Sequence, residues 1–150
     1  METKTFSPFK ALVFSVETSM KDMLQFVRFK ANEICIEAIQ NGMEITGPIY
    51  WIYKGADGKP ETWFTLEICI PVYCLKDYKG KFELRQIDGF KCVAATHYGN
   101  WHEMGIVYNH LFGGILGAGM KLNGICREMY TNVDFDNHEN NITEIQVGVL

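Results

Sequence analysis

Residues 118–130 read AGMKLNGICREMY and residues 41–53 read NGMEITGPIYWIY, and the two stretches align without a gap at an offset of 77. In each copy, a Glu that opens an apolar segment follows the last Tyr by fourteen residues. A single offset that aligns both blocks predicts two copies of one supersecondary unit. The matched positions include Gly42 and Gly119, Met43 and Met120, Gly47 and Gly124, Tyr53 and Tyr130, and Glu67 and Glu144.

The spacing of apolar residues predicts strand, helix, strand, strand in each copy, because strands alternate with a period of two and helices with a period near 3.6. An α+β fold follows, with a duplicated β-α-β-β unit, an antiparallel sheet, two helices and a cleft between pseudo-twofold halves. One domain spans 1–150, with halves at about 10–72 and 82–149 and residues 1–10 as a frayed lead-in. The predicted strands are 10–16, 48–54, 63–72, 82–87, 90–98, 125–131 and 142–149, and the predicted helices are 20–38 and 101–120.

The second predicted helix contains four glycines, at positions 105, 113, 114 and 117. Each interior glycine costs a helix about 1 kcal/mol relative to alanine. We therefore expect this helix either to pack its backbone unusually close to a neighbour or to break near Gly113.

Composition and charge exclude several classes of function. The net charge of −4, without a Lys/Arg cluster, argues against nucleic-acid binding, because phosphates demand a basic surface. No apolar run approaches the roughly 20 residues that span a bilayer, and the N-terminus lacks the apolar core of a signal peptide. The five Cys residues are scattered without a C-x-x-C motif. We expect a reduced, cytoplasmic protein with no membrane partner, no metal and no cofactor.

Motifs for phosphate, zinc and serine chemistry are incomplete. Gly114 and Gly119 have phosphate-loop spacing, but Met120 stands where that loop needs Lys. His102 and the Glu after it lack the second His of a zinc helix. None of the three Ser residues lies in a nucleophile elbow, which argues against a serine hydrolase.

The two copies differ most informatively at Trp51, whose counterpart is Glu128. If the two strands face each other across the twofold axis, a carboxylate lies among aromatic rings, and this combination suits a flat cation. The alternative is that Glu128 is exposed on an edge strand and pairs with Arg127 or Lys121. For Glu67 and Glu144 the alternative is a solvated side chain at the start of a strand.

Three motifs follow one another along the second half of the chain: Tyr98-Gly99-x-Trp101, Gly124-x-x-x-Glu128-x-Tyr130 and Thr143-Glu144-Ile145-x-Val147. In order and spacing they resemble those of the gyrase-inhibitor-like small-molecule-binding family, the effector-binding domain also attached to AraC-type and MerR-type regulators. Gly148 departs from the family pattern, which usually has Pro, and so does the glycine-rich second helix.

The resemblance implies the same duplicated fold and a cleft that binds lipophilic, often cationic, compounds around a buried Glu. Glu128 matches that Glu best and Glu144 is the second choice. The function implied is a stand-alone small-molecule sensor or sequestering protein. The ligand-binding residues expected are Glu128, Trp51, Tyr53, Tyr130, Tyr98, Trp101, Glu144 and Glu67.

Two alternatives stay open at this point. Some stand-alone members of the family hydrolyse cyclopropane-bearing alkylators, and the resemblance then implies Glu128 or Glu144 as the catalytic base. A buried carboxylate suits that role, because desolvation raises its pKa toward neutrality. The other alternative is a protein-interaction domain, with a protein partner or a homodimer.

Overall fold

The computed structural model describes the backbone of residues 1–150 and the side chains of all residues except Phe26. Two 3₁₀ turns, Trp101–Glu103 and His138–Asn140, accompany the longer elements. The helices are α1 (Met23–Val27), α2 (Lys30–Gln40) and α3 (Met104–Gly117). The strands are β1 (Glu2–Phe6), β2 (Phe9–Ser19), β3 (Glu44–Ile45), β4 (Ile49–Lys54), β5 (Trp63–Tyr73), β6 (Glu83–Ile87), β7 (Phe90–Tyr98), β8 (Leu122–Asn132) and β9 (Ile142–Val149).

The strands form one antiparallel sheet in the order β1-β7-β9-β8-β4-β5-β2-β6, with the short β3 beside β5. Its six inner strands are two copies in mirrored order, β7-β9-β8 and β2-β5-β4, which meet where β8 pairs with β4. The predicted α+β fold with a duplicated β-α-β-β unit is therefore confirmed.

Gly42 and Gly119, a matched pair in the repeat, end α2 and α3 in the same way. Both have a φ of +70°, a conformation that glycine adopts without a Cβ penalty. After α2, the amide of Met43 donates to the carbonyl of Ala38, and after α3 the amide of Met120 donates to the carbonyl of Ile115. The repeated Gly-Met pair thus terminates both helices.

The two edge strands are exchanged between the copies. β1 precedes the first copy in the chain but pairs with β7 of the second copy. β6 lies at the start of the predicted second half, 82–149, but pairs with β2 of the first copy. The prediction of a frayed lead-in at residues 1–10 is wrong, because the free edge of β7 supplies hydrogen-bond partners that no local pattern in residues 2–6 reveals.

Both faces of the sheet contribute buried side chains to the core. On the helix face, α2 packs Ile34 and Ala38 onto the first copy, and α3 packs Leu111 and Ile115 onto the second. We call the opposite side the second face. Its apolar side chains come from strands of both copies and include Ala11, Val13, Tyr50, Ile52, Cys69, Ile87, Phe90, Cys92 and Ala94.

The helices differ from the predicted ones in their limits. The predicted helix 20–38 is two helices, because the backbone leaves the helical region at Phe29, with φ −116° and ψ 9°. Buried residues on both helices point to the same core, so the apolar spacing runs across this break. The second helix begins at Met104 rather than Trp101 and is unbroken at Gly113.

The family pattern usually has Pro at position 148, and the neighbouring side chain of Asn123 explains why this chain has glycine there. A Cβ at position 148 would collide with the Asn123 side chain, whose Oδ1 accepts the backbone N–H of Ile125. Asn123 lies where the register of β8 against β9 shifts between Leu122 and Cys126. The glycine therefore makes room for the side chain that caps this irregularity.

Candidate functional site

Glu128 lies in the middle of β8 on the helix face and is only 4% exposed. Three tyrosine hydroxyls donate to its carboxylate. The Tyr53 hydroxyl is 3.1 Å from Oε2, the Tyr108 hydroxyl is 2.7 Å from Oε1, and the Tyr130 hydroxyl also donates to Oε2. We call these four residues the Glu128 cluster. They come from β4, α3 and β8, so the cluster joins both halves of the repeat.

The charge of the Glu128 carboxylate is not balanced locally. Burial raises its pKa, and the hydrogen bonds from Tyr130, Tyr108 and Tyr53 offset part of that rise. Burial and the neighbouring carboxylate raise the pKa of each tyrosine well above its usual value, so the hydroxyls remain neutral donors. Within the part of the chain that the structure describes, none of the ion pairs includes Glu128. The predicted alternative, pairing of an exposed Glu128 with Arg127 or Lys121, does not occur.

Aromatic rings flank the cluster on the helix face. Tyr130 lies between Trp51 and Trp101, with ring centroids 6.0 Å and 5.8 Å away and edge-to-face geometry at both contacts. The indole N–H of Trp101 donates to the hydroxyl of Thr143 over 3.2 Å, which holds that ring in place. We call Trp51, Tyr130 and Trp101 the aromatic wall. All three are half-buried, so part of each side chain is open to solvent.

The structure brings together five of the eight residues expected to bind ligand. Tyr108 belongs to the Glu128 cluster but is absent from the expected set. Its signal in the sequence was its place on the core-facing stripe of α3, three residues before Leu111 and seven before Ile115. A tyrosine on such a stripe carries a hydroxyl into the core, and that hydroxyl needs a partner there. The five expected residues brought together are Glu128, Trp51, Tyr53, Tyr130 and Trp101.

The other three residues, Glu67, Glu144 and Tyr98, lie on the second face. Glu144 pairs in register with Met129, the neighbour of Glu128, so its side chain points to the opposite side of the sheet. Tyr98 is exposed at the end of β7. A role for these three in ligand binding stays a prediction, and it would require a site separate from the Glu128 cluster.

Glu67 and Glu144 have partners that explain their burial. Lys4 of β1 lies 2.8 Å from Glu144, and Arg85 of β6 pairs with Glu67. Lys4 faces Cys92 of β7, and Arg85 faces Ala11 of β2, the counterpart of Cys92 in the first copy. Lys4 and Arg85 therefore occupy equivalent places in the two copies. Lys54 also contacts Glu67, at 2.8 Å. Each repeated Glu therefore binds a cation from the exchanged edge strand, which ties that strand to the other copy.

The second face also buries Arg127, which is 2% exposed. Its Nε donates to Oε1 of Gln146 over 2.8 Å, and the Gln146 amide donates to Glu144 over 2.9 Å. Its Nη2 has no hydrogen-bond partner among the described residues. Four rings surround the guanidinium with centroids 4.4 to 5.8 Å away, those of Phe90, Tyr50, Phe6 and Phe9.

Neither metal ligands nor membrane spans are evident in the described part of the chain. Three or more His, Cys, Asp or Glu side chains arranged to hold a metal ion are not found among the described residues. None of the described helices has the length and apolar character needed to cross a membrane.

Solved structures share this fold at low sequence identity. The EcmrR C-terminal domain matches 99% of this chain and 96% of its own, with a TM-score of 0.75 and 20% identity. In the EcmrR–DNA complex the match covers 56% of the longer EcmrR chain, with a TM-score of 0.77 and 21% identity. No curated protein sequence matches the chain significantly.

Two further structures extend the comparison. SAV2435 bound to tetraphenylphosphonium matches 99% of this chain and 93% of its own, with a TM-score of 0.70 and 13% identity. A hydrolase from Listeria innocua matches 99% of this chain and 91% of its own, with a TM-score of 0.60 and 13% identity.

The family model of the GyrI-like small molecule binding domain matches residues 1–150. The chain therefore belongs to the GyrI-like family of small-molecule-binding domains.

Proposed function

We propose that this domain binds lipophilic aromatic cations on the helix face, over the Glu128 carboxylate, as a sensor or sequestering protein of the multidrug-binding type. One observation carries the proposal. Glu128 is a buried carboxylate whose hydrogen-bond partners are three neutral tyrosine hydroxyls. A buried charge without a counter-ion is costly, and a cationic ligand relieves that cost.

The hydrogen bonds also indicate which cations are preferred. A carboxylate offers about four lone-pair positions, and the tyrosines occupy three of them in the Glu128 cluster. A cation that needs several hydrogen-bond acceptors would find few free lone-pair positions on this carboxylate. A quaternary ammonium or phosphonium ion needs none, and it interacts through its charge and through ring faces. The aromatic wall supplies such faces at Trp51, Tyr130 and Trp101.

The Glu128 carboxylate is only 4% exposed, so a ligand reaches it only if neighbouring side chains move. Trp51, Tyr130 and Trp101 are half-buried and pack edge to face. We infer that a ligand displaces at least one of these rings and replaces its contacts with its own rings. SAV2435, which shares the fold, is described in complex with tetraphenylphosphonium, a cation of this class.

The test uses two probes that share a shape and differ in charge, tetraphenylphosphonium and tetraphenylborate. Titration by tryptophan fluorescence and calorimetry should show binding of the cation and at least tenfold weaker binding of the anion. Glu128→Gln should weaken binding of the cation at least tenfold, since it removes a buried charge of the pair. Equal binding of both probes, or an unchanged affinity in Glu128→Gln, would overturn the proposal.

Glu144→Gln is the matched control. It removes one carboxylate of the same chain, but from the second face, so it changes the net charge equally without touching the Glu128 cluster. We expect this variant to bind tetraphenylphosphonium within about twofold of the wild type. Loss of binding in Glu144→Gln, with binding kept in Glu128→Gln, would instead indicate that the ligand site lies on the second face.

Hydrolysis of reactive electrophiles is the second candidate. Burial raises the pKa of Glu128, as a general base acting near neutral pH requires, and a structure of the same fold is described as a hydrolase. Turnover of a cyclopropane-bearing alkylator by the wild type, lost in Glu128→Gln and kept in Glu144→Gln, would establish it. Binding of the alkylator without product formation would support the binding function and contradict hydrolysis.

A further inference from the structure

The chain of aromatic contacts does not stop at the aromatic wall. Trp101 also packs against Phe135 and His138, with ring centroids 5.8 Å and 5.9 Å away. Both residues belong to the loop that joins β8 to β9. A hydrogen bond therefore links Glu128 to Tyr130, and two ring contacts continue the series from Tyr130 to Trp101 and from Trp101 to Phe135.

Exposure is lowest at Glu128 and highest at Phe135. Glu128 is 4% exposed, Tyr130 and Trp101 are half-buried, and Phe135 is 75% exposed. A single exposed apolar residue is ordinary on a protein surface and needs no explanation. An exposed ring at the outer end of a continuous aromatic series that reaches a buried carboxylate is a more specific arrangement.

The loop that carries Phe135 is held by its own hydrogen bonds. The Asp134 carboxylate accepts the backbone N–H groups of Asp136 and Asn137 over 3.0 and 2.8 Å. The backbone N–H of Asp134 donates to the side chain of the buried Asn141 over 2.7 Å. Because these bonds order the backbone around Phe135, that backbone loses little further freedom when a ligand contacts the ring.

The same loop favours positive ligands. Residues 133–141 contain Asp134, Asp136 and Glu139 and neither Lys nor Arg. Negative potential at the outer end of the series raises the local concentration of cations near Phe135.

We propose that Trp101, Phe135 and His138 form an outer subsite that binds the distal ring of an elongated aromatic cation whose charged group lies over Glu128. This inference rests on the proposed function and adds a ligand class to it. The domain then discriminates by length as well as by charge. Compact cations contact only the aromatic wall, and elongated multi-ring cations contact the wall and the outer subsite together.

The experiment compares two permanent cations with one head group, methyltriphenylphosphonium and (4-phenylbenzyl)triphenylphosphonium, with the whole chain. The wild type should bind the elongated cation more tightly. Phe135→Ala should weaken binding of the elongated cation about fivefold, the scale of one aromatic contact, and leave the compact cation within about twofold. Phe135→Tyr, which keeps the ring, should restore the preference for the elongated cation.

Ile106→Ala is the matched control, because Ile106 is an equally exposed apolar residue, at 74%, that lies on α3 outside the aromatic series. It should change neither affinity. If Phe135→Ala weakens the binding of both cations equally, or of neither, the proposal of an outer subsite is wrong while the proposed function stands. If neither cation binds the wild type, both proposals fail together.

Discussion

Trp51 and Glu128 are direct partners across the antiparallel pair of β4 and β8, and they are also each other's counterparts in the repeat. A residue that faces its own counterpart marks the position of the twofold axis. The neighbouring pairs obey the same symmetry, since Tyr53 faces Cys126 and Ile49 faces Tyr130. The axis therefore passes through the one place where the copies place an indole opposite a carboxylate, and the proposed ligand site lies there.

Binding of cations should depend on pH through Glu128. Because burial raises the pKa of this carboxyl, it takes up a proton at a higher pH than an ordinary Glu. We expect the affinity for tetraphenylphosphonium, a permanent cation, to fall as the pH is lowered through that raised pKa. Titrations at a series of pH values between about 8 and 5, the range above the usual carboxyl pKa, measure this. A flat profile in the wild type would contradict a change in the charge of Glu128 within this range.

The stability of the free protein should show the opposite trend. The folded protein binds the Glu128 proton more tightly than the unfolded chain, so lowering the pH from above the raised pKa toward about 4.3 stabilises the fold. Glu128→Gln lacks this contribution and should unfold at a urea concentration at least as high as the wild type at pH 7.5. The difference between the two proteins should shrink by pH 5. Parallel stability curves would contradict the raised pKa.

Arg127 and Gln146 should be strongly coupled. Arg127→Met leaves Oε1 of the fully buried Gln146 without its donor, and Gln146→Leu leaves the buried guanidinium without its acceptor. Each variant should lower the free energy of unfolding by about 2 kcal/mol, the cost of a buried polar group left unpaired. The double variant should lose less than the sum of the two, which urea denaturation measures. Strict additivity would show that the hydrogen bond contributes nothing.

The lysines that pair with the buried Glu144 and Glu67 should differ in their contribution to stability. Lys4 is the one cation in salt-bridge contact with Glu144 among the described residues, whereas Glu67 contacts both Lys54 and Arg85. Lys4→Met therefore leaves the buried Glu144 carboxylate without a cation, with only the Gln146 amide as donor, and should lower the free energy of unfolding by about 2 kcal/mol. Lys54→Met leaves Arg85 in place and should cost less than about 1 kcal/mol. Equal losses would mean that Lys4 acts by packing rather than by charge.

Much of the architecture could be predicted from the sequence because its signals are local. The offset of 77 showed the duplication, apolar spacing located the inner strands, and Gly42 and Gly119 marked the helix ends. β1 was missed, because a five-residue strand with one large apolar side chain depends on the partner edge that β7 provides. Tyr108 was missed for a related reason, since only the packing of α3 onto the sheet brings its hydroxyl to Glu128.

The sequence by itself determined the duplicated unit, its periodicities and the contrast between Trp51 and Glu128. Only the tertiary structure decided which carboxylates share a face. Side chains alternate along a strand, so a shift of one residue in register moves every side chain to the other side of the sheet. The pairing of β8 with β9 places Glu128 opposite Ile145, which sends Glu144 to the second face. That register depends on the loop between the strands and on its irregularity between Tyr130 and Asn132, and neither has a periodic signal in the sequence.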